Sequence, residues 1–203
     1  MTNLKRHLGA VVLAVIGLAA AESHASLANI VPVSQHRYIF ESIGEENFIE
    51  SAPDFGPFSA AFTAVTQTSS ITDLAVTGIG SAGPDEFFSI NSVTSYFELV
   101  FDINEPFDFT FSGAIATGLF GSAAAQLSGP GGDIVNLTIS EFEATQWNET
   151  GLLQPGRHTL VVFASNSIGG ELSTFDFSFT VPAPSAALAM ALLIVHPRRR
   201  RAG

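Results

Sequence analysis

The stretch "SYFELVFDI", residues 95–103, decides the fold class because its apolar and polar residues alternate. Large apolar side chains stand at every second position, namely Phe97, Leu99, Phe101 and Ile103. Glu98 and Asp102 lie between them. Successive side chains of a strand point to opposite faces of a sheet, so this period of two predicts a strand with one buried and one solvated face.

The segment "FDFTFS", residues 107–112, repeats the alternation directly after Asn104, Glu105 and Pro106. A connection this short usually joins neighbouring antiparallel strands. Proline is tolerated where a strand begins, which suits Pro106. We therefore expect residues 95–103 and 107–112 to pair as a hairpin.

Similar strand-like runs follow one another through residues 26–181. They are "RYIFES" (37–42), "FSAAFTAV" (58–65), "DIVNLTIS" (133–140), "HTLVVFAS" (158–165) and "FDFSFTV" (175–181). The continuous apolar run 160–164 predicts a central strand covered on both faces. The acidic segment 44–58 is predicted as a long loop.

These patterns predict an all-β fold in which residues 26–181 form a single antiparallel β-sandwich of jelly-roll-like arrangement. All 18 phenylalanines lie in this region, enough to fill one aromatic core. A chain of 203 residues has room for one such domain.

The first 25 residues have the composition of a secretory signal peptide. Two basic residues precede the apolar segment 8–21, which is expected to be helical and too short to anchor the chain. Ser23 and Ala25 supply the small residues that signal peptidase requires before its cut. We expect cleavage after Ala25, with cleavage after Ala21 or Ala28 as the alternatives.

The C-terminal tail, residues 182–203, combines prolines, an apolar segment and arginines. The prolines belong to the motif Val181, Pro182, Ala183, Pro184, and the arginines are Arg198, Arg199, Arg200 and Arg201. Between them lies the apolar segment 185–195, expected to be helical. Arginines after an apolar segment stay on the cytoplasmic side of a membrane, so export would stall with the rest of the chain outside.

This tail resembles the PEP-CTERM sorting signal of bacterial envelope proteins, in which a Val-Pro-Glu-Pro-like motif precedes a hydrophobic segment and an arginine-rich end. Ala183 stands here where the family usually has Glu. The resemblance implies transient anchoring in the inner membrane and processing by an exosortase, a membrane transpeptidase. It also implies a destination in the cell envelope, on the cell surface or in the exopolysaccharide matrix of a biofilm.

The charge distribution excludes nucleic acid as a partner. Between residues 26 and 181 there are two arginines and eighteen acidic residues, which gives a net charge of −16. Binding to phosphate backbones requires clustered Lys and Arg, which this region lacks. The chain has no cysteine, so disulfides, thiol nucleophiles and cysteine-based zinc sites are also excluded.

Candidate catalytic groups are few, and we expect no enzymatic activity. The histidines of residues 26–181 are His36 and His158, and no Gly-x-Ser-x-Gly elbow occurs. We expect His158 to be an exposed residue at the start of a strand. Glu98 and Asp102 share one strand face, as the two acids of a glycosidase could, but solvation of that face explains them better.

Two further ligand sites are candidates. Asp102, Asn104 and Asp108 gather oxygen ligands around one turn, as a calcium site requires, and no other cofactor is indicated. Trp147, expected in a loop, could stack on a sugar ring, as could Tyr38 and Tyr96. For Trp147, a structural position over the core is the competing interpretation.

The leading hypothesis is an exported structural or adhesive protein of the cell surface or exopolysaccharide matrix, processed by signal peptidase and an exosortase. The alternative is a secreted carbohydrate-binding β-sandwich that binds extracellular polysaccharide and could use calcium. A secreted hydrolase is the third class, retained because serine, acids and His158 are present.

Overall fold

The computed structural model describes residues 30–83, 90–167 and 171–181. These residues form twelve strands and no helix. The strands are β1 (Val31–Ile43), β2 (Glu46–Ser51), β3 (Phe58–Ala61), β4 (Val65–Ile71), β5 (Ala75–Ala82), β6 (Ile90–Ile103), β7 (Phe107–Ala116), β8 (Gly121–Gly129), β9 (Gly132–Ser140), β10 (Ala144–Leu153), β11 (Gly156–Ser167) and β12 (Ser173–Thr180).

The strands build two six-stranded sheets, and all their pairings are antiparallel. Sheet A has the order β2-β1-β6-β11-β8-β9, and sheet B has the order β10-β7-β12-β5-β4-β3. The inward side chains of both sheets form one core, which confirms the predicted all-β sandwich. The strands predicted at 37–42, 133–140 and 158–165 are confirmed as parts of β1, β9 and β11, and the one predicted at 175–181 is confirmed in β12 as far as Thr180.

The predicted hairpin between residues 95–103 and 107–112 is wrong. These segments are the end of β6 in sheet A and the start of β7 in sheet B, so residues 104–106 carry the chain from one sheet to the other. The alternation requires only that the phenylalanines of both segments point into the core. Because the chain crosses between the sheets, those of 95–103 enter the core from sheet A and those of 107–112 enter it from sheet B. Thus Phe97 of sheet A meets Phe177 of sheet B, with ring centroids 5.0 Å apart.

The two short strands β2 and β3 also depart from the sequence prediction. The predicted loop 44–58 contains β2, which pairs with β1 through a turn in which Gly44 has a φ of 59°. Every β2 side chain is exposed, so its sequence lacks the apolar alternation of a half-buried strand. The run 58–65 holds β3 and the first residue of β4, because the chain turns between Ala61 and Val65.

Aromatic rings fill the core, and glycines of sheet B make room for them. Eight phenylalanines of the described residues are buried: Phe58, Phe97, Phe101, Phe109, Phe111, Phe175, Phe177 and Phe179. A Cβ on Gly78 would lie 2.5 Å from the Phe177 ring, and one on Gly80 would lie 2.4 Å from the Phe175 ring. These two positions therefore require glycine, because any side chain would overlap the rings.

A buried arginine, Arg37, holds the connection between β2 and β3 in place by hydrogen bonds. The Arg37 guanidinium donates hydrogen bonds to the Ser69 hydroxyl at 3.2 Å and to the carbonyl oxygens of Asp54 and Gly56. It also lies over the Phe58 ring, 5.8 Å from the centroid. Burial lowers the pKa of Arg37, while the nearby Asp54 carboxylate opposes that shift. Arg37 is thus an interior structural cation and is not available to a ligand.

Val181 closes the described part of the chain. It is buried, and its N–H donates to the Leu74 carbonyl at 2.9 Å. Several predicted features lie outside the described residues. They are the two terminal segments expected to be helical, the signal cleavage residues Ser23 and Ala25, and the tail 182–203. Within the described ranges, no helix has the length and apolar character needed to cross a membrane.

Candidate functional site

Trp147 is not a surface platform. It lies on the edge strand β10 and not in a loop, and it is 8% exposed. Its indole packs edge-to-face on Phe111, with centroids 5.2 Å apart, and lies where a side chain at Gly113 would be. The structure therefore favours the competing interpretation, a structural position over the core, because the indole packs among the core side chains.

The three candidate calcium ligands lie around the β6–β7 crossing. Both carboxylate oxygens of Asp102 accept hydrogen bonds from Arg157, from Nε at 2.9 Å and from Nη2 at 3.1 Å. This pair lowers the pKa of Asp102. The described residues contain no group of three His, Cys, Asp or Glu side chains arranged for a metal. Calcium binding by Asp102, Asn104 and Asp108 stays a prediction, and it would require Arg157 to move.

His158 is also placed differently from the prediction. It is 1% exposed, stacks on the Phe101 ring with centroids 5.5 Å apart, and its Nε2 lies 2.8 Å from the Gln154 carbonyl. A buried ring held in this way is part of the core, so it is not accessible to a substrate. Of the two histidines that the structure describes, His36 is the exposed one, with 69% of its side chain accessible.

Three aromatic side chains line up across the outer face of sheet A. Tyr38, Tyr96 and Phe163 come from the adjacent strands β1, β6 and β11, and the strand register makes them direct cross-strand partners. The Tyr38 and Tyr96 rings stack with centroids 5.1 Å apart, and those of Tyr96 and Phe163 stack at 6.4 Å. We call these three residues the aromatic row.

The aromatic row points outward because its strand neighbours point inward. Ile39, Phe97 and Val162 follow or precede the three aromatics in sequence and are fully buried in the core. The three side chains are half-buried, and the row ends at Tyr38 on β1 and at Phe163 on β11. Phe163 is followed on β8 by Ala124, which is only 1% exposed.

A carboxylate stands beside the middle ring of the row. The Tyr96 hydroxyl donates to Glu98 Oε2 at 2.7 Å, and His36 Nδ1 lies 3.4 Å from Glu98 Oε1. Burial and the hydrogen bond to Glu98 raise the pKa of Tyr96 far above its ordinary value of 10.0. Burial and the charge of Glu98 also raise the pKa of Tyr38. Both phenols are therefore neutral donors at neutral pH.

Amide groups continue the outer face of sheet A towards β8 and β9. Gln126 and Asn136 occupy the cross-strand positions next to Val161, which itself pairs with Glu98. The Gln126 amide donates to the Asn136 side-chain oxygen at 3.2 Å, in an exposed position. The face thus combines an apolar ridge with hydrogen-bonding groups on one side of it.

The outer face of sheet B has a different composition. Hydroxyl side chains dominate it, and it holds a shallow depression of about 380 Å³ whose lining includes Ser59, Thr68, Ser70, Thr77, Ser178 and Asp176. Ile79, 60% exposed, is a large apolar side chain in the same lining. We call this surface the hydroxyl face.

The sequence indicates Tyr38 and Tyr96 as candidates but does not indicate Phe163. Phe163 belongs to the apolar run 160–164, in which Val161 and Phe163 take the outward positions of the central strand β11. That run predicts a strand covered on both faces by other layers. The outer side is instead half-buried by neighbouring side chains, among them Tyr96 against Phe163.

No protein family matches the chain, and no curated protein matches it either. Among solved structures, it is similar to TmCBM61 in complex with β-1,4-galactotriose, at 12% identity over 60% of this chain and 90% of that one, with a TM-score of 0.31. It is similar to a family 35 carbohydrate-binding module from Clostridium thermocellum, at 11% identity over 74% and 95%, with a TM-score of 0.29. Murine APRIL gives 10% identity over 72% and 99%, with a TM-score of 0.28. Values this low carry no argument about a ligand.

Proposed function

We propose that the protein is an exported β-sandwich that binds polysaccharide through the outer face of sheet A. The observation that carries this proposal is the aromatic row, which crosses three adjacent strands and lies beside polar side chains. Sugar rings have apolar C–H surfaces and a rim of hydroxyls, so they bind best where aromatic surface and hydrogen-bonding groups lie together. Tyrosine suits this use because its rigid ring loses little entropy on binding.

In this proposal the protein holds its polysaccharide and does not cleave it. A glycosidase needs two acids free to act on one bond. Asp102, which shares a strand face with Glu98, has both oxygens occupied by Arg157. We therefore expect no release of reducing ends when the protein is incubated with a polysaccharide that it binds.

The terminal segments provide delivery in this proposal. Signal peptidase would remove residues 1–25, and an exosortase would process the tail near Pro182 and Pro184, leaving the sandwich in the cell envelope or the exopolysaccharide matrix. Intact-mass measurement of the protein from its host tests this step. A mass starting at Ser26 and ending near Pro184 is expected, and retention of residues 198–201 would contradict it.

Affinity electrophoresis in gels that contain a panel of soluble polysaccharides tests the binding face. Tyr38→Ala should weaken binding about tenfold, because it removes an end ring of the row while leaving the core intact. Ile79→Ala on the hydroxyl face is the matched control and should bind as the wild type does. Binding that is unchanged in Tyr38→Ala, or lost equally in both variants, would overturn the assignment of the face.

A further inference from the structure

We infer that the preferred ligand of the sheet A face is a polysaccharide that bears free amino groups, and that Glu98 is the residue that selects it. This inference rests on the proposed function and narrows it to one chemical class. Three observations support it: the position of Glu98 in the face, the cations of the molecule and the geometry of the rings.

Glu98 is placed to meet a ligand on the aromatic row. Its side chain is 23% exposed and is held against Tyr96 by the hydrogen bond to Oε2. The contact of Oε1 with His36 is longer, at 3.4 Å, and His36 is 69% exposed. An ammonium group that approached the row could therefore replace His36 at Oε1 without disturbing Tyr96. A half-buried carboxylate binds an ammonium more strongly than an exposed one does, because water screens the charge less.

The cations of the described residues are unsuitable for an acidic polysaccharide. Arg37 lies in the interior with hydrogen bonds to carbonyl oxygens, and Arg157 is paired with Asp102. Residues 26–181 as a whole carry two arginines against eighteen acids. A polymer of uronic acids or sulfated sugars would be repelled by this charge, whereas a polymer of amino sugars would be attracted and steered towards the surface.

The rings add a second attraction for an amine. Tyrosine faces attract cations that lie within about 6 Å of the ring centroid. Tyr38 ends the row, because its cross-strand neighbour on β2 is Ser51 and not another ring. Glu98 and Tyr38 lie on adjacent strands, so successive amino sugars of one chain can meet both.

The test uses calorimetry of the full-length protein with two chito-oligosaccharides of equal length, one fully N-acetylated and one fully deacetylated. The deacetylated oligomer should bind more tightly, and added salt should reduce the difference. Glu98→Gln should weaken binding of the deacetylated oligomer about fivefold and so reduce its preference over the acetylated one, because the amide keeps the Tyr96 hydrogen bond but loses the charge. Asp176→Asn makes the same change in net charge on the hydroxyl face and should retain the preference.

The outcomes separate this inference from the proposed function. Equal binding of the two oligomers, tighter binding of a uronic acid polymer, or equal effects of Glu98→Gln and Asp176→Asn would overturn the inference while leaving polysaccharide binding intact. Absence of binding to every neutral, amino and acidic polysaccharide would overturn the proposed function, and this inference with it. The tyrosine absorbance spectrum of Glu98→Gln at neutral pH should match that of the wild type, which verifies that the row is still formed.

Discussion

The two outer faces of the sandwich have the same architecture and opposite surface chemistry. Each is the solvent side of a six-stranded antiparallel sheet, with alternate residues buried in a common core. Sheet A presents stacked rings and a carboxylate, whereas sheet B presents mainly hydroxyls around Ile79. Because the core constrains only the inward positions, the outward positions are free to differ, and the proposed binding role of sheet A rests on this difference.

The inner sides of the sheets differ in a complementary way. Sheet B has glycines at inward positions, Gly78 and Gly80 on β5 and Gly113 on β7, and each leaves space for an aromatic ring. Sheet A has the small inward residues Ala123 and Ala125 on β8 and large ones on β6. The rings of Phe175, Phe177 and Trp147 therefore lie over glycines of the adjacent strand in sheet B.

The largest effect that we expect comes from a residue that neither face uses. Trp147→Ala should lower the free energy of unfolding by about 3–5 kcal/mol, because it removes a buried indole and leaves a cavity beside Phe111. Urea unfolding measures this change, and Trp147→Phe should cost less. If Trp147→Ala kept its stability but lost polysaccharide binding, Trp147 would belong to the ligand site and the comparison of the two faces would fail.

The single tryptophan also provides a binding control. Its fluorescence should change on unfolding but stay constant when a saccharide binds to the face of sheet A. A shift of the emission on saturation with ligand would place the ligand near β10 instead.

The next effect concerns the glycines of sheet B. A Cβ on Gly80 would lie 2.3 Å from the Ser95 hydroxyl and 2.4 Å from the Phe175 ring. Gly80→Ala should therefore destabilise the fold by about 1–3 kcal/mol through overpacking. Gly131→Ala is the control, because a Cβ at Gly131 would have no neighbouring atom within 4 Å, and it should change the stability by less than about 0.5 kcal/mol. Equal stabilities of the two variants would show that the rings of sheet B have room to move.

These residues also show how far the sequence could predict the molecule. Alternation in 95–103 and 175–181 correctly identified strands, because one buried face imposes the period of two. It did not identify the sheet to which each strand belongs, since inward phenylalanines satisfy a hairpin and a crossing equally well. Trp147 was misplaced because β10 is an edge strand whose other residues are mostly exposed, which hides the alternation.

The aromatic row could not be found from local sequence. Its members, Tyr38, Tyr96 and Phe163, are far apart in the chain and become neighbours only through the register of β1, β6 and β11. Pairwise strand order is a property of the whole fold, so a pattern within one strand contains no information about it. The terminal segments are the reverse case, because their predicted roles depend on local composition alone.

The titration of the two tyrosines tests whether the rings on the face of sheet A are arranged as a row. Tyr38 and Tyr96 are the two tyrosines of the chain, so tyrosinate absorbance reports on the row alone. The pKa values of both tyrosines are raised in the folded state. Their protonated phenols therefore contribute to the stability of the fold below the ordinary pKa of 10.0, and this contribution is lost as the pH rises through the folded values. The native protein should therefore titrate above pH 10 and the urea-unfolded protein near pH 10. Coincident titrations would mean that the rings are neither stacked nor bonded to Glu98.

The smallest effect is expected where Asp102 meets Arg157 at the edge of the same face. The hydrogen bonds from Arg157 hold the pKa of Asp102 below its ordinary value of 3.8, so the pair stabilises the fold above that pH and is lost as the pH falls through the lowered value. Both groups are solvent-exposed, so Asp102→Asn should lower the melting temperature only slightly at neutral pH and not at all in acid.

The same two proteins, the wild type and Asp102→Asn, also test the candidate calcium site when their melting is measured with and without calcium. If added calcium stabilises the wild type and not Asp102→Asn, the ion displaces Arg157, and the rim of sheet A is a calcium site as well as an ion pair. If calcium has no effect on either protein, the pair alone accounts for Asp102.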